Sequence, residues 1–149
     1  MKGKLLVWPV ALALLVGLLW QTDRWRDRMT ASRALRQVEL LTMAALSSGR
    51  APRGLIPANL EALRRAAALD PLEVGIPIAR GSQHLLLRNH RAAIEAYEEA
   101  ARLEPRPEID LNLGRALLDA GRPEEARVHF QRAVRLSPHL ASLVPEHLR

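Results

Sequence analysis

The side chains best suited to acid–base chemistry and metal binding near neutral pH are the five histidines of this sequence. They are His84, His90, His129, His139 and His147. No two of them lie at a metal-binding spacing on adjacent helical turns, and the chain has no phosphate loop or nucleophile motif. We therefore predict no catalytic, cofactor-binding or metal-binding residue, and a protein that is not an enzyme. We expect His84 to pack between helices and the other four histidines to be exposed.

Cysteine is absent from the 149-residue chain, which excludes disulfides, cysteine-ligated zinc and a cysteine nucleophile. Hydrophobic residues make up 48% of the sequence but aromatic residues only 3%. The interior must therefore be built mainly from leucine, alanine, valine and isoleucine, a composition that suits closely packed helices better than strands. The sequence predicts an all-α protein.

The formal charge of +6 is concentrated near the N-terminus. Residues 54–149 contain 13 arginines and 13 acidic residues, whereas residues 21–53 contain seven arginines and three acidic residues. Helical repeats that bind nucleic acid need a basic groove and stacking rings. The only phenylalanine, tyrosine or tryptophan residues after residue 53 are Tyr97 and Phe130, and we expect both to be used in packing. Nucleic acid is therefore not an expected partner.

The first 22 residues are predicted to form a transmembrane anchor. Two lysines precede sixteen uncharged, mostly aliphatic residues from Leu5 to Trp20. As a helix this run covers about 24 Å, less than the hydrocarbon layer of about 30 Å. However, Trp8, Trp20 and Trp25 are of the type found at membrane interfaces and would extend the anchor. A cleaved signal peptide is the alternative, but bulky and charged residues follow Trp20 where a peptidase requires small ones.

We expect the anchor to cross a bacterial inner (plasma) membrane once. The arginines that follow the apolar run mildly favour a cytoplasmic domain. A short positive tail before such a run is instead typical of a signal anchor that sends the rest of the chain across, and we expect the extracytoplasmic side. Within the anchor, Ala13 and Gly17 form a small-xxx-small pair that would let another helix approach closely.

Three later segments of the chain match one another at an interval of 33 to 34 residues. When the segments RAAIEAYEEAARLEP and RPEEARVHFQRAVRLSP are aligned at an interval of 33 residues, alanines, an aromatic residue, a leucine and a proline coincide. Tyr97 and Phe130 are the two aromatic residues, and Leu63 is their counterpart in the upstream segment ANLEALRRAAALDP. Gly81 and Gly114 stand at matching places ahead of the later segments. The chain therefore contains a structural repeat.

This repeat resembles the tetratricopeptide repeat, whose unit is a pair of antiparallel helices. The resemblance implies an α-solenoid of about three hairpins. In such a unit Gly81 and Gly114 would let the first helix cross the second closely, while Tyr97, Phe130 and Leu63 would fill the space between neighbouring hairpins. Because proline cannot continue a helix, each unit would end at a proline. These prolines are Pro71, Pro105 and Pro138.

The first copy departs from the family pattern. Its leading helix, Asp23 to Leu46, is too long for the unit and is expected to continue out of the membrane. About ten residues rich in glycine and proline then replace the usual tight turn. In the second copy, Pro77 is tolerable only in the opening turn of a helix, and Arg80 stands where the family prefers leucine.

After Pro138, a C-terminal capping helix is predicted, with Leu140, Leu143 and Val144 on the face that covers the last hairpin. The resulting domains are an anchor (1–22), a juxtamembrane helix and Pro/Gly loop (23–57), and the repeats with their cap (58–149).

The resemblance also implies where a partner would bind. Arrays of this family bind extended peptides or helices along a concave face lined by the first helix of each unit. That pattern selects Ile78, Ser82, Leu85, Leu111, Asn112, Arg115 and Leu118. For the aliphatic residues among these, packing in the core is an equally good prediction.

The polar residues of this face indicate the kind of ligand. Asn112 and Arg115 could hold a partner's backbone or carboxylate. Some relatives recognise a terminal carboxylate through a basic and asparagine clamp, but here Ile78 and Ser82 occupy the corresponding places in the second copy. An apolar segment or amphipathic helix is therefore a better expected ligand than an acidic C-terminal peptide.

Two functions remain open. In the first, the protein is a membrane-tethered adaptor or assembly scaffold that binds a peptide or helix of a partner protein. In the second, it is a permanent accessory structural subunit of a larger membrane complex. A long helix leaving the bilayer and a loose first loop suit permanent packing, whereas a clean groove suits exchange of partners.

Overall fold

The computed structural model describes residues 7–49 and 52–149, with side chains from Leu12 onward. The first residues of the predicted anchor, Leu5 among them, lie outside this part. Within it the chain forms α-helices and short 3₁₀ helices and has no strand. The α-helices are α1 (Val7–Ser48), α2 (Leu55–Leu69), α3 (Gly75–Leu86), α4 (His90–Leu103), α5 (Pro107–Asp119) and α6 (Pro123–Leu136). They pair as three antiparallel hairpins, α1 with α2, α3 with α4 and α5 with α6.

Helix α1 is 42 residues long and crosses the predicted domain boundary at residues 22 and 23 without a break. Its described side chains from Leu12 to Thr30 are all exposed, and packing begins at Ala31. From there Ala31, Leu35 and Val38 are buried against α2 and α3. Over the part of the chain that the structure describes, no helix has an apolar stretch sufficient to cross a membrane.

The first hairpin turns differently from the others. Residues 49–54 separate α1 from α2, fewer than the ten or so expected, and both Gly49 (φ 63°) and Gly54 (φ 80°) adopt the left-handed backbone conformation. The two later hairpins turn within three residues, 87–89 and 120–122. In the last of these turns Gly121 has φ 75° and is placed as glycine prefers after a helix.

The helix ends follow from local sequence. The side chain of Asn89 accepts a hydrogen bond from the backbone N–H of Ala92 at 3.2 Å and caps α4. Helix α6 begins with Pro123 followed by Glu124 and Glu125, where proline costs no backbone hydrogen bond and the carboxylates face the positive end of the helix dipole. Pro77 lies in the first turn of α3, as predicted, where a helix tolerates proline.

The predicted large side chains form the centre of the array. Tyr97, Phe130 and Leu63 are almost completely buried. A β-carbon added to Gly81 would lie 2.8 Å from the Tyr97 ring, and one added to Gly114 would lie 2.7 Å from the Phe130 ring. The expectation that these glycines permit close helix crossing is confirmed.

A third glycine makes a contact between hairpins. A β-carbon on Gly75, at the start of α3, would lie 2.6 Å from Cδ2 of Leu35 on α1. The irregular first hairpin is therefore closely fitted to the second.

The C-terminal cap differs from its prediction. Residues 138–149 form two 3₁₀ helices, Pro138–Leu143 and Glu146–Leu148, in place of one capping helix. Leu140 and Val144 are buried as expected, but Leu143 is 50% exposed and Leu148 covers the core in its place. The backbone becomes extended at Val144 and then meets Pro145, so a continuous helix cannot form.

Candidate functional site

The predicted groove residues lie on α3 and α5, the first helices of the second and third hairpins. Ile78, Leu85 and Leu118 are half-buried against the main hydrophobic core and keep part of their surface exposed. Ser82 and Asn112 are partly exposed and Arg115 is exposed. These six side chains are therefore available to a ligand, in full or in part.

Leu111 is the exception among the predicted groove residues. It is 4% exposed and belongs to the core cluster that contains Phe130 and Leu117. The alternative prediction of core packing is therefore the right one for this residue. A leucine buried to this extent contributes to the position of α5 but presents no surface to a partner.

A pair of hydroxyl groups joins α3 to α4 at this face. Oγ of Ser82 lies 3.1 Å from the carbonyl oxygen of Ile78 and 3.1 Å from the hydroxyl of Tyr97. Since the serine proton is directed to the carbonyl, the Tyr97 hydroxyl donates to Ser82. Burial raises the pKa of Tyr97, so this hydroxyl stays protonated and remains a donor.

Against the larger effect of burial, the positive charge of Arg115 lowers the pKa of Tyr97. Its guanidinium makes one long hydrogen bond, 3.5 Å from the carbonyl oxygen of Leu143. Among the described residues no carboxylate lies within ion-pair distance of it. Arg115 therefore keeps donors free for a carboxylate or a backbone carbonyl.

Arg80 occupies the position where leucine was expected, and it has a structural role. Its guanidinium forms an ion pair with Glu99 of α4. Burial lowers the pKa of His84, on the next turn, and the positive charge of Arg80 lowers it further. His84 is partly buried, in agreement with its prediction as a packed histidine.

A cluster formed by one buried carboxylate and two basic side chains lies outside the groove and was not predicted. Asp110 is buried; its Oδ1 lies 2.9 Å from Nδ1 of His129, and its Oδ2 forms an ion pair with Nε of Arg132 at 3.2 Å. His129 is therefore partly buried and bonded, which corrects the expectation that it is exposed. The sequence does show that His129 and Arg132 are three residues apart on α6. It gave no reason to pair them with Asp110, because an acidic residue in the first turn of a helix such as α5 is common in any case.

A second unpredicted network connects the first two hairpins. Nδ2 of the buried Asn59 donates to Oγ1 of Thr42 at 3.2 Å and to Oε1 of Gln83 at 3.1 Å. Nε2 of Gln83 also donates to the Thr42 hydroxyl, at 3.0 Å. These bonds tie α1, α2 and α3 together through groups that would be costly to bury unpaired.

No group of three or more metal-binding side chains occurs in residues 7–49 and 52–149.

Comparison with known proteins agrees with this architecture. Residues 78–141 match the family model described as tetratricopeptide repeat. The structure is similar to TTC0263, a thermophilic TPR protein of Thermus thermophilus, with a TM-score of 0.66 and 23% identity over 87% of this chain and 71% of that chain. No curated protein matches significantly.

Two further solved structures share the fold. The type III secretion translocator chaperone SycD of Yersinia enterocolitica has a TM-score of 0.58 and 20% identity, covering 74% of this chain and 83% of that one. A mutant of MamA has a TM-score of 0.52 and 21% identity, covering 82% of this chain and 80% of that one. Residues 78–141 thus match the tetratricopeptide repeat model, and the chain shares the fold of these structures, in agreement with the helical repeat predicted from the sequence.

Proposed function

We propose that the protein is an interaction adaptor that binds a peptide or helix of a partner protein along the face formed by α3 and α5. The observation that carries this proposal is that Ile78, Leu85 and Leu118 stay partly exposed on α3 and α5, the first helices of their hairpins, and that Arg115 of α5 has no carboxylate partner among the described residues. Apolar side chains of a partner would cover the aliphatic residues, and Arg115 would fix its register through a carbonyl or carboxylate. One structural neighbour is a secretion translocator chaperone, which is consistent with protein binding by this fold.

The charge of the array favours a protein ligand over nucleic acid. The 13 arginines of residues 54–149 are balanced by 13 acidic residues, and several are held in ion pairs such as Arg122 with Glu125. The Tyr97 and Phe130 rings are buried, so they offer no surface on which a base could stack.

Photo-cross-linking tests this proposal. A photoreactive amino acid placed at Ser82 or at Arg115 should cross-link a single partner protein in native membranes, whereas the same group at the exposed Val128 of α6 should not. Equal cross-linking from all three positions, or none from Ser82 and Arg115, would remove the α3 and α5 face from consideration.

We also propose that the N-terminal end of α1 holds the array at a lipid membrane, in a bacterial inner membrane with the array on the extracytoplasmic side. The support is the exposure of apolar side chains along this end: from Leu12 to Trp20 every described residue is exposed. Nine such residues in water carry a large hydrophobic cost that insertion among lipid chains would remove. Trp20 and Trp25 and the arginines that follow match the chemistry of a lipid interface.

Tryptophan fluorescence can report on this attachment alone, because the three tryptophans of the chain all lie in its first 25 residues. Vesicles of phosphatidylglycerol and phosphatidylethanolamine should shift the emission of the full chain to shorter wavelength. The variant Leu15→Glu with Leu18→Glu should lose that shift and keep the helicity of the array. An unchanged spectrum for the original chain would contradict the attachment.

A permanent structural subunit is the second candidate, and one observation favours it. Beyond the N-terminal end, α1 exposes Leu40 by 71% and Met43 by 67% within the packed hairpin. A surface of this kind is typical of a lasting contact with a larger neighbour. If the chain purified without other subunits aggregates and Leu40→Gln with Met43→Gln cures this, the second candidate is the better one.

A further inference from the structure

A separate apolar pocket lies where the first hairpin turns. It has a volume of about 310 Å³ and opens between the end of α1, the start of α2 and the end of α3. Its walls include Leu46, Leu55, Ile56 and Leu86. None of these residues belongs to the groove predicted from the sequence.

The pocket lies beside the longer turn of the first hairpin. This turn uses six residues, 49–54, where the later hairpins use three. The end of α1 and the start of α2 both line the pocket, and Leu55 and Ile56 are only partly buried there. The side chains at the mouth remain open to solvent, with Leu46 59% exposed and Leu86 42% exposed.

The polar side chains that line the pocket already have hydrogen-bond partners within the protein. Thr42 and Gln83, which line the pocket, are bonded to each other and to the buried Asn59. These bonds fix α1, α2 and α3 relative to one another, so the walls are preorganised. A ligand therefore gains chiefly by covering apolar surface, without rearranging the hairpins.

Two arginines lie close along the chain to residues that line the pocket, and they indicate which flanking residues of a ligand would be favoured. Arg53 stands two residues before Leu55, and Arg88 stands two residues after Leu86. Both are exposed, and among the described residues neither has a carboxylate within ion-pair distance. An acidic flank on the ligand would complement this pair of cations.

We infer that this pocket binds one leucine- or phenylalanine-sized side chain of a partner protein, presented by a segment with acidic residues on either side. A dry apolar cavity of about 150 Å³ already accepts a benzene ring, so the pocket volume of about 310 Å³ is sufficient. The inference rests on the proposed function in one respect, that the ligand is a protein segment. It adds a second anchor point, at the first hairpin, to the face formed by α3 and α5.

Methyl NMR of the full chain in lipid nanodiscs tests the inference with defined peptides. The probe is the acetylated peptide amide Glu-Glu-Ala-Ala-Phe-Ala-Ala-Glu-Glu. One control peptide replaces phenylalanine with serine, and the other replaces all glutamates with lysine. The methyl signals of Leu46, Leu55 and Leu86 should shift with the probe, with at least tenfold weaker binding of either control peptide.

Variants of the pocket residues test whether the peptide binds in the pocket or in the groove. Leu46→Ser and Leu86→Ser alter exposed side chains and should each weaken probe binding at least fivefold, whereas Leu136→Ser at the opposite end of the array should not. Arg53→Glu with Arg88→Glu should reverse the preference in favour of the lysine peptide. The circular dichroism of each variant should match that of the original chain.

Three results would overturn the inference. Equal binding of the serine peptide would show that no side chain enters the pocket. Shifts confined to Ile78, Leu85 and Leu118 would place the ligand in the groove, which leaves the proposed function standing. A change from dimer to monomer on Leu46→Ser, with peptide binding unchanged, would identify a second copy of the chain as the occupant.

Discussion

The ring of Phe130 lies directly against the α-carbon of Gly114, so that a β-carbon added to this glycine would be 2.7 Å from the ring. The contact joins α5 to α6 inside the third hairpin. Tyr97 and Gly81 repeat it in the second hairpin at 2.8 Å. Two of the three hairpins are thus closed by the same pairing of a missing side chain with a large one.

Gly114→Ala should destabilise the array by up to about 2 kcal/mol. Overpacking of a core costs about 1 to 3 kcal/mol, and the better helix propensity of alanine returns up to about 1 kcal/mol. Urea unfolding followed by circular dichroism would measure this loss. In the matched control Gly17→Ala, a β-carbon would meet nothing within 4 Å, so stability should be unchanged or slightly higher. If the two variants behave alike, the contact with Phe130 does not limit the packing of the hairpin.

Asp110→Ala should cost about 1 to 3 kcal/mol, because it removes a buried carboxylate that is bonded to His129 and Arg132. Both partners are partly exposed and can recover some hydration, so the loss should stay below that of a fully buried ion pair. Denaturation midpoints at neutral pH would measure it. Asp119→Ala changes the same residue type at an exposed position on the same helix and should have little effect. An equal loss in both variants would show that the cluster is not stabilising.

Glu61 should titrate far below an ordinary glutamate. Hydrogen bonds from Arg64 and then Arg65 lower its pKa from 4.5 to about 2. Because the folded pKa is the lower one, this interaction stabilises the array above pH 4.5 and is lost as the pH falls toward about 2. The Glu61 carboxyl carbon shift, followed by NMR between pH 6 and pH 1.5, would report the midpoint.

Two changes should move that midpoint back toward 4.5. The variant Arg64→Gln with Arg65→Gln removes both donors, and high salt screens charges at this exposed site. A midpoint near 4.5 in the original chain would mean that the arginines do not hold the carboxylate in solution.

The double variant Arg115→Glu with Leu118→Glu should abolish cross-linking of the partner from Ser82. It replaces the unpaired cation by an anion and adds a charge to the apolar part of the groove. Arg115 is exposed and Leu118 is partly exposed, so the fold should tolerate both changes. Helicity should not change. Arg135→Glu with Leu136→Glu places the same changes at exposed positions of α6, so its cross-linking should be normal. Retained cross-linking in the first variant would exclude the groove.

Much of the fold could be predicted because it depends on residues at fixed intervals. The recurrence of Gly81 with Tyr97 and of Gly114 with Phe130 sets the geometry of each hairpin locally, and the structure places all four where the pattern required. The approach of Gly75 to Leu35 could not be predicted in this way. It joins residues 40 positions apart that have no counterpart in the other copies.

The candidate site was predicted less completely. Residues Ile78, Ser82, Leu85, Asn112, Arg115 and Leu118 lie at least partly at the surface, as expected, but Leu111 is buried. A leucine on a first helix can face either the groove or the core, and only the angle between neighbouring helices decides. The apolar pocket beside Leu46 was not predicted, since it is formed where α1, α2 and α3 meet and the sequence pattern does not specify their relative placement.

The amino-acid sequence by itself determined that the chain is helical, that its hairpins recur at about 34 residues, and which small and large side chains meet inside them, because these properties follow from local propensity and spacing. Only the tertiary structure decided which polar side chains are buried together, as Asp110 is with His129 and Asn59 with Gln83. It also decided where the array leaves open surface. Burial and cavities depend on the distance and angle between helices, and these are set by the packing of all hairpins at once.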